Sequence, residues 1–390
     1  MFDPEASISR DPLKLAIAAH EKAIELRAET RLAAAEAACR RALAFYERAE
    51  GPRHPDVANA LVELGQILEA RDRPKLARPC HARALAILTP RGRAAHEAKK
   101  EPEDPDIVRL RIRARVFGAG IDRALGAYAS ADRAFATALR EATRAFGARD
   151  QDVAGIYNNL GVLRKSQGRY AEAAAFYKRA LPILRASGDQ DALATLYHNL
   201  GGIEHARGRY AAGVPHARKS VALREAELGP DHVAVAADVA ALAALVEGTG
   251  RLEEAALLYE RALRVFRSKL GRESTEVALN LSGLATLRQQ QGRPAEADRL
   301  FAEAVPLQER LFGRGHPEVA MTLHNLAFHE RAQGHVARAV ALYTRALRIF
   351  RKGLGAQHPH TRLCASNLRA VAGEQASARR RLKAPRPTGR

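Results

Sequence analysis

The sequence predicts an all-α, right-handed α-solenoid of about eight stacked helical hairpins plus a C-terminal capping helix. Three observations predict it. One stretch is written nearly twice, as GAYASADRAFATAL (Gly126 to Leu139) and GRYAEAAAFYKRAL (Gly168 to Leu181). Its leading glycine recurs as Gly126, Gly168, Gly208, Gly250, Gly292 and Gly334, in steps of 42, 40, 42, 42 and 42. Apolar residues recur three or four apart, the period of a helix face, and no segment shows sustained strand alternation.

Each repeat holds two elements. Ahead of each glycine sits a first helix with a Leu-small pair: Leu160-Gly161, Leu200-Gly201, Leu242-Ala243, Leu284-Ala285 and Leu326-Ala327, with Leu368 a further 42 on. After the glycine comes a second helix such as EEAALLYERALRVFRSKL (Glu253 to Leu270), where Leu258, Ala262, Val265 and Phe266 share a stripe. Glycine suits the left-handed position that ends a helix. First helices open on His-Pro (His54, His316, His358) or on acids, which are helix-start signals. Ala42-Leu43 and Ala84-Leu85 keep the same step and mark the second helices of two earlier hairpins. Between Gly65 and Gly161 the spacing exceeds two periods by 96 − 84 = 12 residues, which fit the Pro-rich, charged stretch after Leu88. The expected organisation is two N-terminal hairpins over 11–88, a polar linker over 89–105, the main array with its capping helix over 106–377, and a basic disordered tail over 378–390.

A hairpin with one apolar face cannot close a core alone, so copies must stack. DVAGIYNNLGVLRKSQGRYAEAAAFYKRAL (Asp152 to Leu181) and HPEVAMTLHNLAFHERAQGHVARAVALYTRAL (His316 to Leu347) resemble tetratricopeptide repeats, in the 42-residue form found in kinesin light chains. The resemblance covers roughly residues 11 to 375. It implies an adaptor or scaffold that binds an extended peptide or a partner helix in a concave groove. It names no partner, because a shared fold does not fix a shared ligand.

Composition narrows the function classes. No apolar run reaches the roughly 20 residues that span a bilayer, and MFDPEASISRDP lacks the features of a secretory signal, so a cytoplasmic protein without membrane insertion is expected. Cys39, Cys80 and Cys364 lack metal-ligand spacing and read as reduced thiols in helix cores. The net charge of +19 raises nucleic acid or another polyanion as the alternative partner. Against it, only 11 of the 63 basic residues are Lys, the Arg surplus is diffuse, and six of the charges lie in ARRRLKAPRPTGR at the end. No phosphate loop, H-E-x-x-H, C-x-x-C pair or G-x-S-x-G occurs, so no enzyme, cofactor or metal is expected.

The candidate ligand residues follow from register. In a first helix, the residues one and two before the Leu and two and five after it share an exposed strip. They include Asn158, Asn159 and Lys165, then His198, Asn199 and His205, then Ser282 and Gln289. Next come His324, Asn325, Phe328 and Arg331, and finally Asn367. Asn159, Asn199, Asn325 and Asn367 hold one equivalent position, and a carboxamide matches peptide backbone because it both donates and accepts. The alternative is that these Asn bond within the array. Lys165, His198, His205 and Arg331 make the strip suit an acidic peptide, while Ala237, Ala240, Ala241 and Ala244 leave its middle smooth.

Overall fold

The computed structural model describes the backbone of residues 11–29, 31–89 and 103–383, and side chains as far as 376. Among these residues there are seventeen helices and no strand. They pair as α1 (Pro12–Ala28) with α2 (Leu32–Glu50), α3 (Pro55–Ala70) with α4 (Pro74–Leu88), and α5 (Pro105–Ala124) with α6 (Tyr128–Phe146). Next in the chain come α7 (Gln151–Ser166) and α8 (Tyr170–Ser187), then the pairs α9 (Gln190–Ala206) with α10 (Tyr210–Leu228) and α11 (Val233–Gly248) with α12 (Leu252–Leu270). The last pairs are α13 (Thr275–Gln290) with α14 (Pro294–Phe312) and α15 (Pro317–Ala332) with α16 (Val336–Gly353), followed by α17 (Pro359–Lys383). The first helix of each pair is called A and the second B. The chain divides into two compact units: Met1–Ser166 with Lys178–Ser187, and Gln167–Tyr177 with Gly188–Arg390.

Local chemistry sets the helix ends. His54, His232 and His316 are N-caps, each accepting through Nδ1 from the backbone N–H two residues on, at 3.4, 3.2 and 3.2 Å. Proline follows His54 and His316 at the first helical turn, where a missing N–H costs nothing. At the A-to-B turn Gly334 has φ +82°, with open space around it. A glycine inside the B helix, opposite the repeat Leu-Gly pair, serves a different need. A Cβ on Gly213 of α10 would stand 3.2 Å from the Gly201 carbonyl oxygen of α9 and 2.5 Å from Leu245 Cδ2 of α11, so α9 and α11 together leave no room for a side chain there.

In the second unit the core runs continuously from one hairpin into the next. Leu263 of α12 and Leu284 of α13 share a cluster with Ala304 and Leu307 of α14. Val305 of α14 packs against the cluster that holds Tyr343, Ala346 and Phe350 of α16. Phe301, Tyr343 and Phe350 are almost wholly buried, and each such side chain contributes roughly 1.5–3 kcal/mol of burial. Two ladders of side chains mark the two layers. Successive A helices bond across 40 residues, as Thr322 Oγ1 does to Ser282 Oγ at 3.0 Å. Successive B helices form ion pairs 36 residues apart: Arg218–Glu254, Glu225–Arg261, Arg267–Glu303 and Glu309–Arg345. Exposed pairs of this kind add about 0–1 kcal/mol each, so their effect lies more in fixing register than in stability.

Two expectations of organisation meet the described residues only in part. The 89–105 linker falls mostly on 90–102, outside them, though Asp104 caps α5 by accepting from the Asp106 N–H at 2.8 Å. The sequence predicts a disordered tail from 378, but α17 stays helical through Lys383. Ala, Arg, Leu and Lys are good helix formers and the first proline beyond them is Pro385, so nothing stops the helix earlier. Residues 384–390 lie outside the described residues.

Gly334→Ala is expected to lower unfolding stability by about 1–2 kcal/mol through backbone strain alone. Gly213→Val should cost about 1–3 kcal/mol by overpacking, and Phe350→Ala about 3–5 kcal/mol by opening a cavity. Urea titration followed by circular dichroism measures all three, and a neutral Gly213→Val would show that α9 and α10 do not cross this closely.

Candidate functional site

The strip is built from A helices whose inward stripes are fixed by the core. In α15, Val319, Ala320, Leu323 and Ala327 are buried. That turns Met321, His324, Phe328 and Arg331 to another face, three and four apart. Phe328 is 49% exposed, and Leu279, on the corresponding face of α13, is 41% exposed. Half-buried Asn325 lies three residues before Phe328 and has no hydrogen-bond partner among the described residues.

The other expected residues are more engaged than their register suggests. In the first unit Asn158, Asn159 and Lys165 are half-buried on α7. Asn159 Nδ2 donates to the Gly155 carbonyl at 2.9 Å, within its own helix. In the second unit Ser282 is 7% exposed and accepts from Thr322, so it is floor rather than open strip. Gln289 is half-buried, and its Oε1 is buried without a partner. His324 Nε2 lies 3.3 Å from Asn367 Nδ2. Burial pushes the His324 imidazole down to about 4, so it is neutral at pH 7. Arg331 forks onto Glu374 of α17, with Nε 3.3 Å from Oε2. The positive charge read from Arg331 is therefore already matched inside the array. Asn199 is half-buried, and His205 is exposed with its ring edge-on to Tyr210, 5.2 Å between centroids.

His198 belongs to a hub that register reading does not reveal. Its Nδ1 lies 2.6 Å from Asp238 Oδ1, and the other carboxylate oxygen takes Ser220 Oγ at 2.8 Å and Arg224 Nε at 2.9 Å. Three helices, α9, α10 and α11, thus meet at one carboxylate that is 3% exposed. Burial pushes Asp238 up, but the bonds from His198 and Ser220 and the Arg224 charge outweigh it and hold the carboxyl below its usual range. Asp238 keeps the Nδ1 proton in place and leaves Nε2 as the ring atom open to a ligand. The sequence carried a signal for this hub: Asp238 is the one acid inside the apolar run VAVAADVAALAALV.

Glu247 is the second residue missed. It stands five after Leu242, the position of Lys165, His205, Gln289 and Arg331 in other repeats. Tyr259 Oη donates to it at 3.2 Å, and Gln290 Nε2 donates to its other oxygen. Burial pushes its carboxyl up to about 7, against the smaller opposing effect of those two bonds. The thiols of Cys39 and Cys364 are likewise raised by burial, to about 12 and about 11, which leaves them protonated and unreactive. Among the described residues no group of three or more His, Cys, Asp or Glu is placed to hold a metal ion, and no helix is long and apolar enough to cross a membrane.

Known proteins share this architecture. The tetratricopeptide repeat model matches residues 14–89, 117–186, 192–268 and 276–352. The chain is similar to the apo form of the quorum sensor NprR from B. thuringiensis, with 16% identity and a TM-score of 0.60, over 89% of this chain and 91% of that one. It is also similar to a Rap protein complexed with Competence and Sporulation Factor, with 10% identity and a TM-score of 0.57, over 93% and 98%. The apo form of RapI has 16% identity and a TM-score of 0.55, over 76% and 98%. At these identities the likeness is one of fold. No curated protein matches the sequence.

Glu247 gives the strip a pH dependence whose sign is fixed. Its folded value of about 7 lies above the usual 4.5, so the folded state holds the proton more tightly than the unfolded chain. That contribution to stability is complete below pH 4.5 and is lost as pH rises toward 7. Glu247→Gln keeps a hydrogen-bonding side chain and removes the titration. The fall in urea midpoint between pH 5 and pH 8 should therefore be smaller in Glu247→Gln than in the parent, and an equal fall would mean that Glu247 titrates normally.

Proposed function

The chain belongs to the tetratricopeptide repeat family, whose arrays are scaffolds for protein–protein interaction, and we propose that this one holds an extended peptide or partner helix along the A-helix strip of its second unit. The carrying observation is Phe328, an aromatic side chain 49% exposed on α15, three residues from the unpartnered carboxamide of Asn325. An exposed large apolar side chain beside a free donor and acceptor is the composition of a binding anchor. Leu279, half-buried Met321 and the half-buried alanines of α11 extend an apolar surface for a ligand's side chains. Asn199 and Asn325 supply carboxamides that can pair with its backbone.

An acidic residue in the ligand is favoured at His198. The buried Asp238 orients that ring through Nδ1, so that Nε2 is the atom presented to a ligand's carboxyl group. A polyanion reading of the Arg-rich surface has less support, because Arg261, Arg267 and Arg345 are tied into the B-helix ladder.

Panning a displayed peptide library against the full chain should select sequences with an apolar anchor and an acid. By calorimetry, Phe328→Ala and Asn325→Ala should each weaken a selected peptide by roughly 1–3 kcal/mol. Arg264→Ala, on an exposed position of α12, should leave affinity unchanged. Undiminished binding by the folded Phe328→Ala/Asn325→Ala double variant would move the ligand to another surface.

A further inference from the structure

The B-helix ladder has an unfinished rung. Glu225, Arg267 and Glu309 stand 42 residues apart, and each pairs with a residue 36 further on in the next B helix: Arg261, Glu303 and Arg345. The next residue in that series is Arg351 of α16, and it is exposed with no ion pair or hydrogen bond among the described residues. Gly250, Gly292 and Gly334 turn the chain from A to B, but Ala376 stands at that register 42 residues after Gly334, and α17 runs through it to Lys383 without folding back. The outer face of α16 is left uncovered there.

That face is a cleft of about 530 Å³ lined by Thr344, Leu347, Arg348, Arg351, Lys352 and Leu368. Two repeats earlier the corresponding leucines are Leu263 and Leu284, and α14 covers them with Ala304 and Leu307 while its Glu303 meets Arg267 at 3.1 Å. The cleft has the same apolar floor and the same arginine. Arg348 and Lys352 stand beside it, also exposed and also without a partner among the described residues. Three unmatched cations at i, i+3 and i+4 occupy one helix face and repel one another until acids approach.

We propose that the α16–α17 cleft is a docking site for an acidic amphipathic helix of a partner protein, which takes the place of a ninth B helix and pairs a Glu with Arg351. Apolar residues of that helix cover Leu347 and Leu368, and its register follows from the rung, since the Glu must sit as Glu303 does on α14. Complementary charge sets orientation and partner choice, as it does in paired helices. The site is separate from the A-helix strip, so the two can be filled independently.

The probe is a peptide with the sequence of residues 294–312, which contains Glu303, held helical by a side-chain crosslink on its solvent face and labelled for fluorescence anisotropy. It should bind the full chain saturably. Arg351→Glu should weaken it roughly tenfold, and a Glu303→Arg peptide should recover affinity for the Arg351→Glu protein. No saturable binding of the helical peptide, or binding indifferent to Arg351→Glu, overturns the proposal. So does a dimer of the full chain in sedimentation that dissociates on Arg351→Glu, because the face would then belong to a second copy.

Discussion

Leu263 and Leu284 become a core only when Ala304 and Leu307 arrive from the following hairpin, and this dependence of each hairpin on the next governs the molecule. A pair of helices buries one face internally and leaves a second face that only another copy can cover. The repeat must therefore keep its register, and a turn or crossing that shifts it is costly at two interfaces. The close crossing of Gly201 and Gly213 and the left-handed turn at Gly334 serve that register. They explain why small residues and glycines recur at fixed spacing while surface positions drift.

Regular stacking also builds the face proposed for ligands. Equivalent A-helix residues are brought side by side, and residues 40 or 43 apart in sequence bond directly, as His198 with Asp238, Glu247 with Gln290 and His324 with Asn367 do. These bonds hold the polar side chains of the strip in place before any ligand arrives, which lowers the ordering cost of binding. They also remove several side chains from the ligand's reach. Arg331 on Glu374 and Ser282 under Thr322 are polar residues at exposed register that the array itself uses. What remains for recognition is more apolar than the register suggests, centred on Phe328 and Leu279.

The seventeen helices, their pairing and the histidine caps were legible in the sequence because each rests on short-range rules: a 42-residue step, a helix period, a cap followed by proline. The strip was legible as a set of positions, since Phe328, Asn325 and His198 are where register puts them. Their chemistry was not, because it depends on partners about one repeat away and on burial. The apolar run around Asp238 marks it as a buried acid in need of partners, but nothing local shows that they come from α9 and α10, and nothing local to Glu247 shows that burial raises its carboxyl. The helical stretch from 378 to 383 was obscured for another reason: net charge and nearby prolines suggested disorder, whereas the residues in between are individually good helix formers.

The central claim is that ligands lie on the A-helix side of the second unit. Hydrogen exchange read by mass spectrometry, with and without a library-selected peptide at saturation, tests it most directly. The account predicts added protection in 190–206, 233–248, 275–290 and 317–332, with 252–270 and 294–312 unchanged. Protection confined to the B helices 252–270 and 294–312 would contradict it.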